Sequence, residues 1–185
     1  MMRVAIVGVL LAAGQSRRFG SNKLLHRLDD GVPMAVASAR HLRALLPEAV
    51  AVVDDTAGEV ATLLRQEGLR LVANPRAAEG MGTSIACGVA ASADAAGWVI
   101  ALGDMPYVPE SVVGAVVSGL QGGSEIIAPV YRGQRGHPVG FSARHAQALM
   151  ELRGDEGARG IIAAHQDSLD LVDVMEPGVL VDIDR

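Results

Sequence analysis

Two stretches of the sequence concentrate residue types that handle phosphate and metal. The first, LAAGQSRRFGSNK at positions 11–23, sets Gly14 and Gly20 around Arg17, Arg18 and Lys23. Glycines let backbone N–H groups approach phosphate oxygens, and three cations can neutralise a polyphosphate. The spacing is not that of a Walker A loop, because five residues separate Gly14 from Gly20 and Lys23 does not follow Gly20 directly; a GxGxxG pattern is absent as well. A solvated basic turn is the alternative reading, and the position directly behind an apolar run favours the phosphate one. The second stretch, LGDMP at 102–106, puts Asp104 at the end of another apolar run. A carboxylate there can hold Mg²⁺, which keeps much of its water and takes one or two carboxylates plus substrate phosphates. Its alternative role is to cap the turn before a helix beginning at Pro109. Asp182 and Asp184 alternate around Ile183 and could bring a second carboxylate to the same ion.

The elements that must position these groups follow from hydrophobic pattern. The run 4–13, rich in Val, Ile and Leu, reads as a strand buried on both faces. It is too short for a membrane helix and lacks the flanks of a secretion signal. Further strand-like runs stand at 49–53, 69–73, 97–102, 125–130, 171–174 and 179–183. Between most of them the apolar period is helical: 34–46 stops at Pro47, 58–67 ends at Gly68, 83–95 is alanine-rich, and 109–120 starts with a proline suited to a first helical turn. Strand and helix in alternation predict an α/β fold, a three-layer α/β/α sandwich with a Rossmann-like, mostly parallel sheet, formed by one domain over 1–185. The stretch 128–141, with Gly133, Gly136 and Pro138, breaks the alternation and is expected to form a hairpin or an excursion toward the site. Ligands in such folds collect at the carboxyl ends of strands, which directs attention to the loops after Leu11, Leu102 and Val130.

Composition narrows the function classes. The chain has 185 residues, 50% hydrophobic and 20% charged, enough apolar surface for a substantial core and too much for disorder. With 16 Lys and Arg against 21 Asp and Glu, the net charge of −5 opposes nucleic acid or an anionic membrane as partner. Any bound anion must be held locally, against the global field. Aromatics at 3% supply no platform for stacking single-stranded bases. Cys87 is the only cysteine, so no internal disulfide forms; this suits a reducing compartment and a cytoplasmic location is the default. His26, His41, His145 and His165 lack zinc-ligand spacing and are expected to be structural, as is Cys87. Ser142 sits outside any Gly-x-Ser-x-Gly elbow, which removes a hydrolase nucleophile.

Five motifs in order resemble the molybdenum cofactor cytidylyltransferase family, within the molybdopterin nucleotidyltransferase group. They are the 11–24 loop with Phe19 in place of the usual Met, NPRAAEGMGTSI at 74–85, GDMP at 103–106, RGHPV at 135–139 and GDEGAR at 154–159. The resemblance spans nearly the whole chain and implies a sheet of the nucleotide-diphospho-sugar transferase type. It implies transfer of CMP from CTP to the terminal phosphate of molybdopterin, with release of pyrophosphate and Mg²⁺ as cofactor.

On that resemblance Arg17 and Lys23 hold the β and γ phosphates, and Asp104 carries the metal with Asp184 as second ligand. Leu11, Ala12, Ala13, Gly14 and Ser16 line the nucleotide; Asn74 or Ser84 meets base or ribose; Gly103, Gly136 and His137 complete the site, His137 on the acceptor side. Ala13 gives LAAG, as in the cytidine-using branch, where the guanosine-using branch tends to carry LAGG. Where the family runs on from an Asp-Ile-Asp strand end into Thr-Pro and a helix, this sequence stops at Arg185, so Asp184 is expected to be a less secure ligand than Asp104. The partners implied are CTP or another triphosphate, molybdopterin or its metal-loaded form, and a recipient molybdoenzyme or its maturation chaperone. The alternatives are a transferase using GTP, ATP or a sugar-phosphate acceptor, and a non-catalytic carrier of the cofactor.

Overall fold

The computed structural model describes residues 5–14 and 22–183. β1 (Ile6–Leu11) lies between β2 (Ala49–Val53) and β4 (Gly97–Leu102), parallel to both, with Leu11 level with Val52 and with Leu102. β3 (Arg70–Ala73) extends the sheet beyond β2, also parallel. On the other side β7 (Val139–Ser142) runs antiparallel between β4 and β5 (Ile126–Tyr131), and β8 (Leu169–Asp173) lies parallel to β5. The short β6 (Gln134–Arg135) forms a hairpin with β5, so the stretch 128–141 is the hairpin expected from its glycines and proline. The sheet is therefore mixed; among the described residues only β6 and β7 run against β1.

Strand residues alternate between two apolar layers because successive side chains leave opposite faces of the sheet. Leu10, Ala51, Val53 and Val99 pack under α1 (Met34–Leu45), α2 (Glu59–Gln66) and α4 (Glu110–Gln121). Val7, Val9, Val50, Val52, Trp98 and Ile100 pack under α3 (Met81–Ala90), α5 (Ala146–Met150) and α6 (Arg159–Ala164). Each fully covered Val, Leu or Ile contributes about 1.5–3 kcal/mol, which is why the central strands read as continuous apolar runs. Among the described residues no helix is long and apolar enough to cross a membrane.

Two expectations are corrected. The alanine-rich helix ends at Ala90 rather than 95. The Ser92 hydroxyl donates to the Gly88 carbonyl at 2.9 Å and accepts from Trp98 Nε1 at 3.0 Å, turning the chain down into β4. The run 179–183 is not a strand: Pro177–Leu180 forms a 3-10 turn. Its backbone groups go to loops instead of a sheet edge, since the Val179 carbonyl accepts from His137 N at 2.9 Å and Ile183 N donates to the Asp104 carbonyl at 3.0 Å. The segment thus lies across the strand tips that carry the chemistry. The short helices α5 and α6 hold too few turns for a helical period to show in sequence.

α3 packs on β1 and β2 at Gly88, where an added Cβ would stand 2.5 Å from Val9 Cγ1 and 3.1 Å from Val52 Cγ2. Gly88→Ala gains helix propensity but overpacks this contact, and overpacking a core costs about 1–3 kcal/mol. Chemical denaturation of the variant should show a loss in that range, whereas unchanged or raised stability would mean that α3 is not seated this closely.

Candidate active site

Because the tips of β1 and β4 are level, the loops that follow them meet. The β4 loop turns at once: Gly103 N donates to the Leu11 carbonyl at 3.0 Å and Met105 N to the Leu102 carbonyl at 3.2 Å, leaving Asp104 at the apex. The β1 loop returns through a 3-10 turn at Lys23–Leu25, capped by the Asn22 side chain, which accepts from Leu24 N at 3.1 Å. Leu24 is buried in the layer below α1 beside Gly103, where an added Cβ would make ordinary contact with Leu24 Cδ2 at 3.4 Å and a tight one with the Leu11 carbonyl at 3.1 Å. With Leu24 held down, Lys23 reaches across the strand tips and its Nζ stands 2.7 Å from Asp104 Oδ2. Both side chains are about four-fifths covered, with exposures of 18% and 22%. Earlier in the same loop, Gly14 N donates to Asp54 Oδ1 at 3.0 Å and Ala12 N to the Val52 carbonyl at 2.9 Å, which fastens the loop to the tip of β2. Ser16, Arg17 and Asp184 lie outside the described residues.

Beside this pair opens a cleft of about 450 Å³. Its floor is Leu11, Ile100, Leu102 and Met105; its walls come from the β6–β7 segment, the N-terminal turn of α3 and the 155–159 stretch. Arg135 and Arg159 on one hand and Asp155, Glu156 and Asp182 on the other give it both charge signs, with Gly136 and His137 also on the wall. Gly136 is required where it stands, because a Cβ would run into the Val179 carbonyl. Arg135 and Arg159 had no role from sequence alone, although each ends or begins a motif already noted; only the folded hairpin and the α6 start bring them to one cleft. Asp182, offered as a second carboxylate, faces the same space. Among the described residues no group of three or more His, Cys, Asp or Glu is placed to hold a metal by itself.

Asn74 and Ser84 meet each other. Asn74 Nδ2 donates to Ser84 Oγ at 2.9 Å and to Thr83 Oγ1 at 3.0 Å, while its Oδ1 accepts from Arg76 N at 2.9 Å. At 1% and 3% exposure the two side chains join the end of β3 to the first turn of α3 and do not open onto the cleft. The expectation that either meets base or ribose through its side chain is at odds with this arrangement, because both amide hydrogens of Asn74 are already committed.

His137 forms part of the cleft wall, and burial holds its imidazole below the usual histidine range. The carboxylates of Asp104 and Asp182 oppose that shift, and the guanidinium groups of Arg135 and Arg159 reinforce it. His145 is lowered chiefly by burial as well, then by neighbouring His165, against the pull of Glu125 at 3.7 Å. His145 is 5% exposed and packs edge to face on Phe141 and His165, the structural role expected of it. Cys87 packs half-buried against the layer under α3.

Comparison with known proteins adds a family. Residues 8–169 match the model of the MobA-like NTP transferase domain. The purine catabolism protein PucB of Bacillus subtilis (strain 168) is 31% identical over 192 residues, covering 97% of this chain and 91% of PucB. The nicotine blue oxidoreductase of Paenarthrobacter nicotinovorans is 29% identical over 194 residues, covering 97% of this chain and 92% of that protein. The crystal structure of Rv0371c from Mycobacterium tuberculosis H37Rv superposes with a TM-score of 0.84 at 25% identity, covering 99% of this chain and 94% of its own.

The lowered histidines set a pH dependence. Each binds its proton less readily in the fold than in the unfolded chain, so its contribution to stability is full above the unfolded value near ~6.5 and is lost as pH falls through the lower folded value. The melting temperature should fall between about pH 7.5 and about pH 5, and His145→Phe should flatten that fall. Parallel curves for the two proteins in calorimetry would contradict burial of a neutral His145.

Proposed function

The chain belongs to the MobA-like NTP transferase family, a nucleotidyltransferase family, and from that premise we propose that it transfers CMP from CTP to the terminal phosphate of molybdopterin. The observation that carries the reading is the 2.7 Å contact between Lys23 and Asp104, in the turn whose Leu102 and Met105 line the cleft. It joins a cation from the glycine loop and a carboxylate from a strand tip at one point, as a metal–triphosphate complex requires. The two relatives' names, one from purine catabolism and one an oxidoreductase, specify neither nucleotide nor acceptor, so both come from the motifs and from Ala13.

The donor set fits magnesium. Asp104 offers a carboxylate that already accepts a cation, the Lys23 ammonium, and Asp182 offers another on the same cleft; one or two carboxylates completed by substrate phosphates is the coordination this ion prefers. Held there by Asp104, with Asp182 on the neighbouring cleft wall, the ion would supply positive charge against the triphosphate and Lewis acidity to the reacting phosphoryl group. The Lys23 ammonium, 2.7 Å from that carboxylate, would hold the β and γ phosphates, and Arg17 of the same loop would assist.

An acceptor phosphate monoester, with a second pKa near ~6, is mostly dianionic at neutral pH and needs no general base. Its oxygen bonds to the α-phosphorus, the bond from that phosphorus to the bridging oxygen breaks, and pyrophosphate leaves with the electron pair. What the protein supplies is alignment and relief of repulsion between two anions. Arg135 and Arg159, which line the cleft with His137, would serve that purpose for the acceptor, and neutral His137 adds no charge of its own.

Incubation with each labelled nucleoside triphosphate, Mg²⁺ and molybdopterin should release pyrophosphate with CTP. Asp104→Ala should lower the rate by about a hundredfold or more. Turnover with GTP in place of CTP would overturn the base assignment. Tight pterin binding without pyrophosphate release would make the protein a carrier, and full activity of Asp104→Ala would remove the metal site.

A further inference from the structure

The parallel ladder of β1 on β2 runs one rung past the strands. Gly8 N and Ala12 N donate to the Glu48 and Val52 carbonyls at 2.9 Å, each partner 40 positions further along the chain. Gly14 N continues the same offset, but the oxygen it meets at 3.0 Å is Asp54 Oδ1, a side chain in place of a carbonyl. β2 ends at Val53 and the chain bends at Asp54, so a side-chain oxygen completes the rung. A bond from an amide to a carboxylate is charge-assisted and roughly twice as strong as a neutral one.

Both sides of that rung are held. Just before Asp54, the Val53 carbonyl accepts from Asn74 N at 2.9 Å. Just after it, Asp55 closes a turn, its Oδ1 accepting from Ala57 N at 2.9 Å and its carbonyl from Gly58 N at 3.3 Å. Gly14 has a φ of +103°, a left-handed backbone that glycine enters without the penalty of a Cβ. The bond to Asp54 fixes the point where the glycine loop leaves the sheet, and the Asn22-capped turn at Lys23 fixes its return. Asp54 is not among the residues lining the cleft, so what it contributes there passes through Gly14. A carboxylate on a phosphate loop opposes a polyphosphate by charge; what it can supply is position.

We propose that Asp54 is a positioning residue for nucleotidyl transfer: its carboxylate oxygen, standing in for a ladder carbonyl, holds the Gly14 amide and sets the course of the glycine loop toward the triphosphate. This rests on the transferase reading above. What counts is the place of one acceptor oxygen. A change that moves that oxygen therefore harms transfer as one that removes it does, and a change that keeps it without the charge does not.

Amide hydrogen exchange read by NMR, with steady-state pyrophosphate release, tests it on the full chain. In Asp54→Ala the Gly14 amide should lose its protection. KM for the triphosphate should rise about tenfold or more, as for one charge-assisted hydrogen bond lost, while KM for the acceptor stays at its native value. Loss of folded protein alone would lower kcat and leave both KM values in place. Asp54→Glu, whose oxygen stands one methylene further out, should behave like Asp54→Ala; Asp54→Asn, with an oxygen in the native place, should restore both readings. A Gly14 amide equally protected in native protein and Asp54→Ala, an unchanged triphosphate KM in that variant, or an Asp54→Asn as impaired as Asp54→Ala would each overturn the proposal. Should Asp54→Ala fail to fold, Asp54→Glu and Asp54→Asn decide it by the same readings. A native chain that releases no pyrophosphate with any triphosphate overturns the transferase reading instead, and exchange at Gly14 then decides the rung alone.

Discussion

The register of β1 against β4 is the constraint on which the site depends. Leu11 pairs with Leu102, so the strands end flush and the loops leaving them occupy the same few ångströms of space. One loop then presents an ammonium and the other a carboxylate, and they close on each other at 2.7 Å. A slip of one residue would turn the side chains of β1 to the opposite layer and move the loop as well. The apolar alternation that seats β1 in two cores therefore also fixes where Lys23 and Asp104 meet. Leu24 extends the same logic: an apolar anchor one residue from Lys23 converts core packing into the position of a charge.

Around that pair the molecule resolves a conflict between its charge and its proposed ligand. A chain of net charge −5 attracts a triphosphate poorly from a distance. Cations are instead gathered locally, Lys23 at the strand tips and Arg135 and Arg159 along the cleft, with the carboxylates of Asp104 and Asp182 among them, where the proposed divalent ion would sit. Burial keeps His137 neutral in the midst of these charges, so its part of the cleft wall does not add to either sign.

Much of this was legible in the sequence, for physical reasons that differ by element. The central strands 49–53 and 97–102 stand at the bounds expected, because a strand covered on both faces has no freedom to carry polar residues. Asp104 and Lys23 were legible because each follows such a run. The hairpin at 128–141 was readable from its glycines and proline; its return as an antiparallel strand inside the sheet was not, since topology leaves no local mark. The run Val179 to Ile183 has strand composition, but Pro177 and Gly178 before it start a turn, and contacts with His137 and Asp104 decide its path. Asn74 and Ser84 were read as ligand-facing from their motif; which way a polar side chain points in a helix's first turn depends on partners ten residues away.

The central claim is that the Lys23–Asp104 pair marks the place of a metal-bound triphosphate. A crystal structure with Mg²⁺ and a non-hydrolysable CTP analogue tests it most directly. The account predicts an Asp104 oxygen on the ion at about 2.0–2.1 Å and the Lys23 ammonium moved from the carboxylate to a phosphate oxygen. A nucleotide bound elsewhere, with Lys23 still on Asp104, would contradict it.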